Sequence, residues 1–217
     1  MDTLPAAGLA AGAGYILGSV PFSWLAVRLR TGKDLRTLGS GNVGATNAAR
    51  ALGRGWFPLL FALDFGKGAL PVLFADPVFH PPSREVEAWV RVAAGMGAVL
   101  GHMFPFWLRF RGGKGVATGA GAVFGMAPGS CAAGLLAFLV AAAVSRFVSL
   151  GSVVGAAAAP AAFAFLSRGS PPAQRIPIGA FLLLLTGFVL VKHLPNLRRI
   201  AAGTEPRIFG KEPPLAP

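Results

Sequence analysis

The stretch that decides the fold reads Arg-Phe-Arg-Gly-Gly-Lys-Gly-Val-Ala-Thr and runs from Arg109 to Thr118. Three cations and three glycines stand here between two long apolar runs. A basic loop beside an apolar helix is a common signal of membrane orientation. A Gly-Gly-Lys-Gly turn also exposes backbone N–H groups at the start of a helix, which suits a phosphate. The stretch therefore predicts a membrane protein and leaves open whether the loop is a topology signal or an anion site.

The composition favours a polytopic membrane protein. Hydrophobic residues make up 54% of the 217 residues and charged residues 13%, which is about half the charged share of a soluble domain. The 20 Lys and Arg exceed the eight Asp and Glu and give a net charge of +12. In so apolar a chain, this excess suits anionic headgroups and anionic substrates better than nucleic acid. The single cysteine and the absence of zinc-type spacing predict no disulfide framework and no metal site.

The apolar segments predict an all-α bundle of about seven transmembrane helices. The predicted spans are Leu4–Leu29, Trp56–Phe74, Ala88–Leu108, two short helices within Val116–Val144, Phe147–Leu166 and Ile176–Val191. Cations that follow the first span at once place its end in the cytoplasm and the N-terminus outside. Gly97 and Gly101 mark a close-packing face on the third span.

The segment Val116–Val144 fits either one span or a hairpin of two helices broken at Ala127-Pro-Gly129. One span would divide the Lys and Arg residues almost evenly across the membrane, whereas a hairpin leaves most of them in the cytoplasm. The positive-inside rule therefore favours the hairpin and a cytoplasmic C-terminus. Each helix would have roughly 11–16 residues, too few for a full crossing, and such short helices commonly line a site.

Under this topology, four polar clusters lie on the cytoplasmic face. They are the loop Ser40–Asn47, the loop Gly112–Gly115, the segment Arg146–Ser152 and the tail His193–Glu205. The Lys114 loop is not a Walker A loop, because Gly115 stands where that motif needs Ser or Thr. The clusters therefore predict anion positioning and stabilisation of transition-state charge rather than nucleotide hydrolysis.

Two questions stay open at the level of individual residues. Either His102 or His193 could act as a general base, and His193 is favoured by the amide and guanidinium groups that follow it within two turns. Asp64 and Lys67 share one face of the second span. They form either a buried structural ion pair or part of the site.

Taken together, these motifs resemble the bacterial acyl-phosphate:glycerol-3-phosphate acyltransferases, the PlsY family. The resemblance is carried by Ser40-Gly-Asn-Val-Gly-Ala-Thr-Asn47 with Arg50, by Gly101–Pro105 leading to Arg111–Thr118, by His193–Arg199 with Gly203-Thr-Glu205, and by Asp64–Gly68 and Ser145–Leu150. It runs from about Gly18 to Glu205, and three motifs in the right order are far more specific than any one of them.

The resemblance implies a multi-pass enzyme of the bacterial inner membrane with its active site on the cytoplasmic face. Residues 1–217 would form one acyltransferase domain, with 206–217 as a Pro-rich peripheral tail. The implied reaction transfers a fatty acyl group from acyl phosphate to the primary (sn-1) hydroxyl of glycerol 3-phosphate. It gives lysophosphatidic acid and inorganic phosphate, the first acylation of phospholipid synthesis. No cofactor and no nucleic acid are expected. The resemblance does imply a functional link to a phosphate acyltransferase that forms the acyl phosphate.

On this resemblance we assign catalytic roles to His193, Lys114, Asn196 and Ser40. The expected substrate-binding residues are Asn42, Gly44, Thr46, Asn47, Arg50, Gly112, Gly113, Gly115, Thr118, Ser149, Arg199 and Glu205. We expect Gly112–Gly115 to bind the leaving phosphoryl group, and Arg50, His193, Asn196 and Ser149 to bind the phosphate of glycerol 3-phosphate. Residues of the loop Ser40–Asn47 would orient the glycerol hydroxyl. Either His193 or the substrate's own phosphate takes the proton.

Two other functional classes remain possible on the sequence. The short helical hairpin and the Asp64–Lys67 pair would also suit an anion or phosphate-ester transporter. A structural or lipid-scaffolding membrane protein is a second alternative, although it would not need His, Asn, Ser and Gly clustered in several loops of one face.

Overall fold

The computed structural model describes residues 3–208, which form ten α-helices and two short 3-10 helices, with no strand among them. The α-helices are α1 (Thr3–Gly18), α2 (Phe22–Thr31), α3 (Ala45–Leu52), α4 (Trp56–Leu73), α5 (Ala75–Phe79), α6 (Arg84–Met103), α7 (Val116–Met126), α8 (Pro128–Ser145), α9 (Val148–Leu166) and α10 (Pro172–Ala201). The 3-10 helices are Leu35–Thr37 and Phe106–Leu108. The predicted all-α class is confirmed. Of the Pro-rich tail 206–217, only residues 206–208 lie within the described part of the chain.

Five segments of the described chain are long and apolar enough to cross a membrane. They are Leu4–Thr31, Trp56–Phe79, Pro128–Ser145, Val148–Leu166 and Pro172–Ala201. α6 is not one of them, because its first half carries four charged residues, Arg84, Glu85, Glu87 and Arg91, which lower its hydropathy. α7, with 11 residues, is a shorter apolar helix.

The first predicted span is a membrane-length segment, but its helix is interrupted. α1 ends at Gly18 and α2 begins at Phe22, because Pro21 has no N–H to continue the helical hydrogen bonds. The Val20 carbonyl in this gap accepts a hydrogen bond of 2.8 Å from the buried Lys67 ammonium. A cation of α4 therefore stabilises the break in the first segment.

The predicted hairpin break is confirmed at Ala127, the residue that separates α7 from α8. α8 is longer than expected, with 18 residues against the 11 of α7. Pro128 opens α8, where the missing N–H costs nothing, so the new helix starts directly after the break. The hairpin thus has one short arm and one arm of membrane length.

The last helix extends well beyond the predicted end at Val191. α10 has 30 residues and continues through Pro195 to Ala201. The prediction was wrong because Lys192 ends the apolar run, whereas the backbone hydrogen bonds continue past it. Residues expected in a polar tail, including His193 and Asn196, therefore sit on the rigid end of a helix.

Glycines bring the short helix α7 directly against α4. A Cβ atom added at Gly68 would lie 1.9 Å from the Thr118 carbonyl oxygen, and one added at Gly121 would lie 1.9 Å from the Phe65 carbonyl oxygen. The predicted close-packing face of α6 is confirmed in the same way, because Gly97 meets the backbone of α1. α7, which follows the Gly-Gly-Lys-Gly loop, is thus fixed to the bundle by backbone contact.

Candidate active site

A cavity opens at the end of the bundle where α7 and α9 begin and α8 and α10 end. We call this end, marked by Val116, Ser145, Val148 and Ala201, the site end. Polar side chains from α3, α10 and three loops line the mouth of the cavity, and its deeper wall is apolar.

The Gly-Gly-Lys-Gly loop is held to the end of α6 by two backbone hydrogen bonds. The Gly112 N–H donates to the Met103 carbonyl over 3.2 Å, and the Gly113 N–H donates to the His102 carbonyl over 3.1 Å. A Cβ atom at Gly113 would lie 2.2 Å from the His102 ring nitrogen Nε2. Because their donors are engaged and neither residue lines the cavity, these two glycines serve to pack the loop closely against α6.

Lys114 and Gly115 are the residues of this loop that face the cavity. Gly115 has a φ of +78° and directly precedes α7, so it adopts the left-handed conformation that favours glycine. Within residues 3–208, the backbone N–H groups of Lys114 and Gly115 donate to no protein acceptor. Together with the positive end of the α7 dipole, these donors make the start of α7 chemically suited to an anion.

Glu205 organises the opposite side of the mouth. Its Oε1 atom accepts hydrogen bonds of 2.7 Å from both the Ser149 hydroxyl and the Asn196 side-chain amide. Its Oε2 atom accepts a bond of 2.8 Å from Arg199. The Asn196 carbonyl oxygen in turn accepts a hydrogen bond from the Lys114 ammonium. Four side chains from α9, α10 and the Lys114 loop are thus tied to one carboxylate.

The surroundings shift the ionisation of the two central charges. Burial lowers the pKa of the Lys114 ammonium from its ordinary value to about 8, and the nearby Arg199 and Arg50 lower it further, while Glu205 opposes the shift. For Glu205, burial raises the pKa, but hydrogen bonds from Asn196, Ser149 and Arg199 outweigh this and leave the carboxyl pKa below its usual range. Glu205 is therefore a stable anion, and Lys114 titrates close to physiological pH.

His193 presents one ring nitrogen to the cavity. Its Nδ1 atom lies 2.8 Å from the Val189 carbonyl oxygen. Because a carbonyl only accepts, we assign the ring proton to Nδ1, which leaves Nε2 as a hydrogen-bond acceptor. The side chain is buried and lines the cavity near Lys114. Such a neutral imidazole can accept a proton from a hydroxyl group.

Asn47 holds the polar loop between α2 and α3 in shape. Its side-chain oxygen accepts the Ser40 backbone N–H over 3.1 Å, and its amide nitrogen donates to the carbonyls of Leu38 and Asn42 over 2.9 and 3.0 Å. The side chain is 1% exposed. This bonding leaves the Ser40 and Asn42 side chains at the cavity wall, beside Arg50 of α3.

A second polar cluster lies behind the Lys114 loop. Lys67 lies 2.7 Å from Asp64, and His102 Nδ1 lies 3.8 Å from the same carboxylate oxygen. Asp64 and His102 line the cavity, whereas the Lys67 ammonium points to the break between α1 and α2. The ion pair of Asp64 and Lys67 thus connects the break between α1 and α2 to the wall of the cavity.

The structure brings together most of the residues predicted for the site. Those that line the cavity are Ser40, Asn42, Gly44, Thr46, Asn47, Arg50, Lys114, Gly115, Ser149, His193, Asn196, Arg199 and Glu205. Gly112, Gly113 and Thr118 are not among the lining residues. Thr118 is fully buried against α4, and its hydroxyl has no hydrogen-bond partner among the described residues.

Several lining residues were not in the predicted set. Asp64 and His102 are polar, and both were considered without being assigned to the site. The aromatic rings of Phe57 and Phe61, and the apolar residues of α7 to α10, carried no signal, because similar side chains face lipid throughout the chain.

An all-helical membrane protein with an anion-binding cavity at one end of its bundle is the class that these features define. The family model described as glycerol-3-phosphate acyltransferase matches residues 8–203, and the chain belongs to this family. It is therefore a membrane acyltransferase that acts on glycerol 3-phosphate.

Relatives and solved structures agree with this assignment. A glycerol-3-phosphate acyltransferase of Synechococcus sp. (strain CC9902) is 44% identical over 198 residues, which are 91% of this chain and 93% of the relative. The enzyme of Anaeromyxobacter dehalogenans (strain 2CP-1) is 41% identical over 90% and 94% of the two chains. The crystal structure of the integral membrane enzyme PlsY (YgiH) in its glycerol 3-phosphate form is similar, with a TM-score of 0.80, 37% identity, and coverage of 94% of this chain and 96% of that one. Its lysophosphatidic acid form has a TM-score of 0.76 and 35% identity, with 94% and 95% covered.

Proposed function

We propose that this enzyme transfers an acyl group from acyl phosphate to the primary hydroxyl of glycerol 3-phosphate, with lysophosphatidic acid and inorganic phosphate as products. The observation that carries the proposal is the continuity of the cavity, whose mouth is cationic and whose deeper wall is apolar. Both substrates carry a phosphate, and one also carries an acyl chain. The similar PlsY structures in glycerol 3-phosphate and lysophosphatidic acid forms support the same substrate and product.

Lys114, the N–H groups of Lys114 and Gly115, and the α7 N-terminus would hold the phosphoryl group of the donor. Arg50 would bind the phosphate of glycerol 3-phosphate, and His193, whose Nε2 atom accepts, would lie beside the hydroxyl group of that substrate. Glu205 would keep Asn196 and Ser149 in position around both groups. Gly112 and Gly113 were predicted to bind substrate. Here they serve to pack the loop instead, because their N–H groups are hydrogen-bonded to the end of α6.

In the reaction, the primary hydroxyl oxygen forms a bond to the acyl carbonyl carbon, and the bond from that carbon to the phosphate oxygen breaks. Phosphate leaves with the electron pair of this bond, so the positive charge of Lys114 stabilises the negative charge that develops on the leaving phosphate. The hydroxyl proton passes to Nε2 of His193 or to the phosphate of the acceptor substrate. An acyl phosphate is already activated, so strong base catalysis is not required.

We further propose that residues 1–217 form one membrane-embedded domain with seven crossings or half-crossings: the α1–α2 segment, the α4–α5 segment and α6 to α10. The N-terminus would lie outside, and the site end would face the cytoplasm of a bacterial inner membrane. An acyl-phosphate-forming enzyme must then supply the donor. A transporter is disfavoured, because apolar residues at the deep end of the cavity leave no polar path across the bundle that residues 3–208 form.

Purified protein in detergent, given palmitoyl phosphate and radiolabelled glycerol 3-phosphate, tests the reaction by the lysophosphatidic acid that forms. We expect Lys114→Ala to lower kcat/KM by at least 10²–10³-fold, roughly the cost of losing one charge-stabilising donor. Lys33→Ala is the matched control, because Lys33 is exposed and does not line the cavity. If the wild-type protein forms no product, the donor is wrong, and if Lys114→Ala turns over normally, the site is wrong.

A further inference from the structure

The cavity continues from the polar mouth into a long apolar arm between α7, α8, α9 and α10. The arm is lined by Phe138, Leu135, Ala156, Leu185, Ala159 and Leu182, among other apolar residues. These side chains offer no hydrogen bonds and no charge, so the arm suits a hydrocarbon chain. The polar residues of the mouth do not require this apolar space.

Three contacts between neighbouring helices hold the walls of the arm together. Cys131 of α8 donates a weak hydrogen bond of 3.3 Å to the Ala120 carbonyl of α7. A Cβ atom at Gly134 of α8 would lie 3.2 Å from the Cβ of Ala159 on α9. The Thr186 hydroxyl of α10 bonds the Ala156 carbonyl of α9 over 2.7 Å. These contacts join α7 to α8, α8 to α9 and α9 to α10, and Ala159 is the lining residue of α9 that lies farthest from the site end.

The far end of the arm is packed from behind. Ala159 and Leu182 are the lining residues of α9 and α10 that lie farthest from the site end. The buried rings of Phe163 and Phe181 follow about one turn and one residue further from the mouth; they belong to the same hydrophobic core and do not line the cavity. Leu182 and Phe181 are each 1% exposed. A chain that enters the arm from the mouth would thus meet a solid floor.

The depth of the arm follows from helix geometry. Asn196 at the mouth and Leu182 at the floor stand 14 positions apart on α10, which corresponds to about 21 Å at 1.5 Å per residue. This is close to the extended length of a long-chain fatty acyl group. A chain that is longer by a few carbon atoms would reach the floor before its carbonyl group reached Lys114.

We propose that Ala159 and Leu182 form the floor of an acyl-chain arm and set the longest acyl chain that the enzyme accepts efficiently. The inference deepens the proposed function, because it takes the chain in the arm to be the acyl group that is transferred. The small side chain of Ala159 leaves space for the end of the acyl chain. The larger, branched side chain of Leu182 limits how far the chain can extend.

The test measures kcat/KM with acyl phosphates of 12, 14, 16 and 18 carbons for the wild type and for Ala159→Leu. Each methylene that can no longer be buried weakens binding about fourfold. We expect the variant to lose at least tenfold with 16- and 18-carbon donors relative to its value with the 12-carbon donor. Ala157→Leu is the matched control, because Ala157 lies on the same helix but is exposed toward lipid, and its chain-length profile should stay that of the wild type.

A second variant, Leu182→Ala, should move the profile in the opposite direction, toward longer chains. It decides the question by itself if Ala159→Leu is not recovered in folded form. The same series of chain lengths is measured as binding of lysophosphatidic acids, which does not depend on the donor. A failure of acyl phosphate as donor would therefore leave the arm testable. Unchanged profiles in both variants, in turnover and in binding, would overturn the inference.

Discussion

Lys114 is both hydrogen-bonded and largely removed from solvent. Its ammonium is tied to Asn196, and its pKa is held near 8 by burial. Because its ordinary pKa is far higher, the folded protein holds a cation there at a cost, which a bound phosphate would offset. Phosphate binding should therefore raise the pKa of Lys114 and couple to proton uptake.

We expect this uptake to depend on pH with a definite sign. Well below pH 8, Lys114 is charged before and after the acyl-phosphate donor binds, so it takes up no proton. Above pH 8, the free enzyme holds a neutral lysine that must be protonated on binding, and uptake by this group approaches one proton. Calorimetric titrations at pH 7 and pH 9, in buffers that differ in ionisation enthalpy, measure it.

Lys114→Arg serves as the comparison, because arginine stays charged throughout this range. The proton uptake at pH 9 should disappear in this variant, whatever its affinity. Equal uptake by the wild type and the arginine variant would show that another group titrates.

At the level of single residues, the sequence predicted the mouth of the site better than its depth. Glu205 and Ser149 belong to polar clusters that stand out in an apolar chain, so they could be found without the fold. Ala159 could not be found in this way, because an alanine of the arm and an alanine facing lipid look alike in sequence. Gly112 was predicted as a ligand because its N–H was taken to be free, and only the structure shows the acceptor on α6.

Among the helices, α7 depends most on its neighbours. It has 11 residues and carries the anion-binding position at its N-terminus. Its place is set by contact with the backbone of α4 at Gly68 and Gly121. A side chain at either glycine would push the two helices apart and move the start of α7.

We expect Gly68→Ala to destabilise the protein by about 1–3 kcal/mol, the usual cost of overpacking a tight interface. The added methyl group would meet the Thr118 carbonyl at 1.9 Å. Thermal unfolding in detergent should show a midpoint lowered by several degrees, together with a lower kcat/KM, because the α7 N-terminus shifts.

The matched control for this substitution lies two residues earlier on α4. Gly66→Ala would place a methyl group where no atom lies within 4 Å. It should be neutral or stabilise by up to about 1 kcal/mol, through the better helix propensity of alanine. Equal effects at both positions would show that helix propensity, and not close packing, explains the result.

Helix boundaries were harder to predict than the presence of helices. Pro21 interrupts the first segment, whereas Pro195 lies within α10 without ending it. Pro21 lies within the apolar run Leu4–Leu29 and Pro195 lies just after the run that ends at Val191, so hydropathy alone would place the helix end at the wrong proline. The difference lies in the partners, because Lys67 of α4 provides a donor for the Val20 carbonyl at the first break.

At the scale of the whole molecule, charge is distributed very unevenly. Among residues 3–208, the cations in the half of the bundle away from the site are Arg84, Arg91, Arg168 and Arg175, and Lys67 is buried in between. All other described Lys and Arg residues lie toward the site end. The positive-inside rule then predicts that the site end faces the cytoplasm.

Cysteine labelling tests this orientation. Cys131 is the single cysteine of the chain, so Cys131→Ser gives a background without thiols. Thr37→Cys at the site end and Gly169→Cys at the other end replace exposed residues. A membrane-impermeant maleimide should label position 169 in spheroplasts and position 37 in inverted vesicles. The reverse pattern would invert the proposed topology.

The confinement of the mouth to one end of the bundle has a consequence for the growth of the membrane itself. A product made in this cavity has its phosphate at that end and its hydrocarbon chain in the apolar arm. We expect it to leave into the leaflet on the same side. New lipid made from this product therefore enters the bilayer asymmetrically, and the opposite leaflet can expand only if other proteins move lipid across.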